Sequence, residues 1–98
     1  MNITKQQNGT KLILALEGRL DTVTSPQLEA ELKASLDGAD SLILDFSHLD
    51  YISSAGLRVL LSAHKAMAPK GGMKVTHVNE IVREVFDVTG FSDILTVE

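Results

Sequence analysis

Cysteine is absent from this 98-residue sequence, which excludes disulfides, thiolate catalysis and Cys-based zinc or iron–sulfur centres. A reducing, cytoplasmic setting is the one expected for such a chain. No run of Lys or Arg occurs and the net charge is −4, so the sequence lacks the electrostatic footprint of a protein that holds phosphate backbones or anionic lipid. Neither nucleic acid nor membrane is an expected partner. The apolar runs, such as Leu12 to Leu16, fall far short of a bilayer span. Met1-Asn2-Ile3-Thr4 also lacks the basic-then-apolar pattern of a signal peptide, and the expectation is a soluble, unexported protein. Repeats, linkers and low-complexity stretches are missing too. What is present is a globular composition, 44% hydrophobic against 22% charged, which can bury a core and at this length fills one domain over residues 1–98.

Lys11 to Glu17 is an apolar run too short for an ordinary helix, and it reads as a well-buried strand. Asn8-Gly9 before it favours a tight hairpin turn, so Asn2 to Gln6 should pair with it antiparallel. Thr24-Ser25-Pro26 has the hydroxyl cap and early proline of a helix start. Leu28, Leu32 and Leu36 then repeat every fourth residue until Gly38 stops the helix. Ser41 to Phe46 returns to strand composition, and strand–helix–strand implies a parallel crossover. From Ser54 a helical face of Leu57, Leu60, Leu61, His64 and Met67 runs until Pro69 and Gly71-Gly72. Met73 to Thr76 is a short strand, Asn79 can cap a third helix carrying Ile81, Val82, Val85 and Phe86, and Gly90 closes it. Ile94 to Val97 is the last strand. The predicted class is α/β: a mixed sheet that opens with an antiparallel hairpin and continues in parallel, with helices packed on it.

The stretch from Asp45 to Arg58 carries the chemistry, because it leads from a strand into a helix start. Backbone amides without internal partners, together with the positive end of the helix dipole, make that place tolerant of an added phosphate on a serine. Small residues at Ala55 and Gly56 allow another molecule close approach. The same spacing is that of an ordinary serine cap with Gly56 permitting tight packing, and on spacing alone this reading stands ahead. Ser54, His48 and Asp45 are the residue types of a nucleophilic triad, yet there is no Gly-x-Ser-x-Gly elbow and the chain is short for a hydrolase, so hydrolysis is rejected as the leading reading and a phosphate-ligand binder or hydrolase using Ser54 stands third. His48, His64 and His77 are too scattered for a metal motif. His64, sharing a face with Leu57 and Leu61, is expected to be partly buried and hydrogen-bonded. Pro69 to Lys74 misses the phosphate-loop spacing and reads as a helix terminator.

Three blocks stand in order along the chain: Leu16-Glu17-Gly18-Arg19-Leu20-Asp21, then Leu44-Asp45-Phe46 leading into Tyr51-Ile52-Ser53-Ser54-Ala55-Gly56-Leu57, then Val85-Phe86-Asp87-Val88-Thr89-Gly90-Phe91. Together they resemble the STAS domain of bacterial anti-sigma factor antagonists, and the order of strands and helices is similar to that family's. The resemblance implies a non-enzymatic partner-switching regulator. Unphosphorylated, it binds an anti-sigma factor that is also a serine kinase and so frees a sigma factor; phosphorylation ends the binding, and a phosphatase resets the cycle. The kinase supplies ATP and its metal, so no cofactor is implied for this chain. Many members read Asp-Ser-Ser-Gly or Asp-Ser-Thr-Gly at the second helix, with the first serine as acceptor. In that register the acceptor is Ser54, with Ser53 standing in the Asp position as the second choice. The resemblance also sets the Asp21 loop beside the acceptor, where a carboxylate can orient the hydroxyl or receive a partner's hydrogen bond; capping its own loop is the alternative. Partner contacts are thus expected from Asp21, Ser53, Ser54, Ala55, Gly56 and Arg58. Arg58 is either a phosphate holder or solvated surface. Members of the family carry a further helix after the last strand, where this sequence ends at Glu98. The other reading is a STAS interaction module in another signalling or lipid-transport assembly.

Overall fold

The computed structural model describes residues 1–98. Strands β1 (Asn2–Asn8) and β2 (Lys11–Leu20) form the antiparallel hairpin. Gly9 supplies the left-handed backbone of its turn, with φ 62. β3 (Ser41–Ile52), β4 (Met73–Thr76) and β5 (Thr96–Val97) follow in parallel, so the sheet runs in the order β1-β2-β3-β4-β5. Helices α1 (Ser25–Ser35), α2 (Ser54–Met67) and α3 (Glu80–Thr89) make the crossovers. The mixed α/β architecture expected from the sequence is the one observed.

Each parallel strand is added on the same side of the one before, and right-handed crossovers then deliver every helix to the same face of the sheet. Burial records this. Leu12, Leu14, Leu16, Leu42, Leu44, Phe46, Met73 and Val75 are buried under the helices, with the Phe46 and Phe86 rings 6.5 Å apart. On the opposite face Ile13, Ala15, Ile43 and Asp45 are half-buried, while Lys11, Glu17 and Lys74 are exposed. The run from Lys11 to Glu17 is therefore buried on one face only, which corrects the well-buried strand read from its composition.

Strand β3 extends six residues past Phe46, to Ile52. Its register against β2 shifts twice, between the Ala15 and Glu17 pairs and between the Gly18 and Arg19 pairs. Extra residues in β3 at these bulges break the two-residue alternation that marks a strand in sequence, yet Leu49 and Ile52 still turn into the core. The bulged extension carries the chain to the start of α2. Further on, Phe91–Asp93 forms a 3₁₀ turn, so β5 is shorter than Ile94 to Val97. Ile81 is 60% exposed and lies outside the buried face of α3, which is held by Val82 and Phe86.

Candidate functional site

The strands β2 and β3 end together, Leu20 opposite Ile52. The Ser53 amide donates to the Leu20 carbonyl at 2.9 Å, tying the first residue beyond β3 to the end of β2. Over this seam sits the first turn of α2. An added Cβ on Gly56 would fall 2.8 Å from Leu20 Cγ and 2.9 Å from Ile52 Cγ1, so the helix rests on the strand ends as closely as a missing side chain allows. Gly56 is buried. The expectation that it admits a partner is corrected accordingly: its smallness serves packing inside the domain.

Ser53 occupies the N-cap position of α2 in extended backbone, but its side chain makes no capping hydrogen bond. Instead Ser53 Oγ is buried without any hydrogen-bond partner. The Leu57 amide donates to the Ser53 carbonyl at 2.9 Å, closing the first turn through the backbone. Ser54 is the first helical residue and is exposed, with Ala55 half-buried and Arg58 exposed one turn on. An uncapped helix start beside an exposed hydroxyl is a place where added negative charge is electrostatically favoured.

The loop after β2 closes the other side. Asp21 Oδ1 accepts the Val23 and Thr24 amides, each at 3.0 Å, and Thr24 Oγ1 donates to the Arg19 carbonyl at 2.7 Å. Thr24 thus stands before α1 without capping it with its side chain. The Thr24 amide does most to hold the Asp21 carboxyl below its ordinary range; partial burial opposes this, and the Thr24 hydroxyl, the Val23 amide and the Arg19 guanidinium assist. Asp21 is therefore ionised and engaged in its own loop. The neighbouring Thr22 lines a depression of about 220 Å³ with Ala55 and Arg58, which brings this loop against α2.

Two residues escaped the sequence reading. Arg19 and Tyr51 are cross-strand partners, the guanidinium lies 4.4 Å from the ring centroid, and Arg19 Nε stands 3.9 Å from Asp21 Oδ2. Their signal was Arg19 inside the first of the three blocks and Tyr51 inside the second, but the pairing depends on the second bulge and is invisible along the chain. The triad residue types are not assembled as one: Asp45 is engaged by the Ser47 amide at 2.9 Å and by His77 Nδ1 at 3.2 Å, and His48 Nδ1 lies 3.2 Å from the Ser47 hydroxyl. Burial raises the Asp45 pKa, but Ser47 and His77 outweigh it and leave the carboxyl below its ordinary value. His64 is half-buried as expected, but its Nδ1 has no hydrogen-bond partner, which corrects the other half of that expectation. No group of three or more His, Asp or Glu side chains is placed to hold a metal ion, and no helix is long and apolar enough to cross a membrane.

The STAS domain profile matches residues 2–98. Among curated relatives, BtrV of Bordetella bronchiseptica, named as a candidate anti-sigma factor antagonist, is 40% identical over 99 residues, covering 99% of this chain and 85% of the relative. Among solved structures, an anti-sigma factor antagonist from Mycobacterium paratuberculosis superposes with a TM-score of 0.89 at 22% identity, over 98% of this chain and 83% of that one. SpoIIAA of Bacillus in its phosphorylated form superposes with a TM-score of 0.76 at 17% identity, over 99% and 91%. The chain belongs to the STAS domain family.

Proposed function

We propose that this chain is an anti-sigma factor antagonist, a regulator without catalysis of its own that binds an anti-sigma factor with serine kinase activity and is released when Ser54 is phosphorylated. The observation that carries this reading is Ser54 itself, exposed at the first position of an α2 whose amino end has no side-chain cap. Its support from relatives is the name of BtrV and the existence of SpoIIAA in a phosphorylated form. Ser53 is a poorer acceptor because its hydroxyl is buried. The contact surface comprises Ser54, Ala55, Arg58 and the Asp21 loop, with Ser53 beneath it. A phosphatase returns the protein to its binding form.

Phosphate adds a charge of about −1.5 to −2 to a surface that must become dry when the partner docks. Desolvating it without a matching cation costs several kcal/mol, and about 1.4 kcal/mol is tenfold in affinity. Ser54→Asp should therefore weaken binding to the anti-sigma kinase by about a hundredfold, whereas Ser54→Ala should bind like the parent and resist modification. Titration calorimetry measures the affinities, and mass mapping after incubation with kinase and ATP locates the phosphate. Equal affinities for the two variants, or phosphate on Ser53 alone, would overturn the assignment.

A further inference from the structure

Helices α1 and α2 lie side by side, but their facing surfaces do not close. Near Ser54 the gap is the depression bounded by Thr22, Pro26, Ala55 and Arg58. It continues into a larger one of about 530 Å³ lined by Leu32, Leu36, Val59, Ala63 and Ala66. The two share Glu29, Val59 and Ser62, so they form one groove along the pair of helices. Its α2 wall spans Ala55 to Ala66, which at a helical rise of 1.5 Å per residue is about 16 Å, or three turns.

We infer that this groove receives an amphipathic helix of the anti-sigma kinase, extending the contact that begins at Ser54; the inference rests on the function proposed above. Three features select that occupant. The floor is apolar and, Arg58 apart, its α2 wall is made of small side chains, which leave room for a partner's larger ones. The charges at mid-groove cancel, because Lys33 Nζ stands 3.2 Å from Glu29 Oε1. That leaves Arg58 at the Ser54 end, while at the far end Asp37 is accompanied by Lys70, whose Nζ donates to the Leu36 carbonyl at 2.8 Å. The matching helix is therefore apolar along most of its length and acidic toward Arg58. A phosphate on Ser54 then sits at the mouth of the groove, where the partner's acidic end would meet it, so modification and docking oppose one another.

Ser62 is exposed and lines both depressions, so Ser62→Arg fills the groove without touching the core. Ala34→Arg, at an exposed position of α1 outside the groove, is the control for added charge. Calorimetry against the kinase that phosphorylates Ser54 should show a loss of tenfold or more for Ser62→Arg and no change beyond twofold for Ala34→Arg. A benzophenone label on Ser62→Cys should cross-link to a helix of the kinase, and this readout stands if the arginine variant folds poorly. Ser62→Arg binding like the parent, with no cross-link, overturns the groove while leaving Ser54 as the switch. A kinase that neither binds the parent nor modifies Ser54 overturns both. Sedimentation of the isolated chain covers the remaining occupant: a dimer abolished by Ser62→Arg would make the groove a contact between copies and overturn the proposal.

Discussion

The amino ends of α2 and α3 start from the same backbone and finish with opposite character. Ser53 (φ −102, ψ 175) and Asn79 (φ −77, ψ 172) both hold extended geometry just before the first helical turn. Asn79 uses everything it has: Oδ1 accepts the Val82 amide and Nδ2 donates to the Leu49 carbonyl, both at 2.8 Å. Ser53 uses none of its side chain. Its shorter reach does not explain this, since serine is as good a cap as asparagine. The difference lies in direction, for the Ser53 hydroxyl is turned inward and the free amides of α2 are left to whatever arrives from outside. One helix end is closed by the protein; the other is left open where Ser54 stands. The open end forgoes about 1 kcal/mol of capping, a loss that natural sequences accept at functional positions.

That comparison implies that the amino end of α2 is held by packing beneath it and that of α3 by its cap, and the largest expected effect tests the first half. Gly56→Val would force two branched methyls into the space already taken by Leu20 and Ile52. Overpacking of this kind costs about 1–3 kcal/mol, and the valine should reach the upper end despite a small gain in helix propensity over glycine. Urea unfolding should show the midpoint fall accordingly. An unchanged midpoint would mean that the seat of α2 gives way easily, and that something other than the strand ends fixes Ser54.

The second half predicts a smaller loss. Asn79→Ala removes the cap on Val82 and the bond that reaches back to the Leu49 carbonyl, together worth about 1–2 kcal/mol. The amide protons of the first turn of α3 should also exchange faster, whereas those of α2 should not. If both helices loosened equally, the two ends would be coupled through Leu49 and β3, and the contrast between them would fail.

Much of this arrangement was legible in the sequence, and the parts that were not share one cause. Asn8-Gly9, the spacing of Leu28 and Leu32, Asn79 and Gly90 each act through neighbours a few residues away, so their turn, helix face and caps could be read directly. The placement of Ser54 at the head of a helix was readable for the same reason. The extension of β3 to Ile52 was not, because its bulges destroy the local period while the pairing with β2 persists. The inward turn of Gly56 depends on Leu20, thirty-six residues away in sequence, and the Arg19–Tyr51 pair on the bulge itself. Asp21 was readable as a loop cap or as a partner ligand; in the fold its carboxylate serves the Val23 and Thr24 amides.

The smallest effect is the sharpest test of the contrast, because a serine and an asparagine in the same place should respond differently to the same truncation. Ser53→Ala removes a hydroxyl that is buried and has no hydrogen-bond partner. Losing an unsatisfied buried polar group relieves its desolvation cost instead of breaking a bond, so the variant should be unchanged or more stable by up to about 1 kcal/mol. The midpoint of urea unfolding should therefore stay level or rise, against the fall expected for Asn79→Ala. Binding to the anti-sigma kinase should hold, since alanine leaves the surface at Ser54 as it was. A loss of stability of about 1 kcal/mol, the ordinary cost of removing a serine cap, would show that the Ser53 hydroxyl does cap α2 in solution. The two helix ends would then be alike, and the openness of α2 could no longer account for the choice of Ser54.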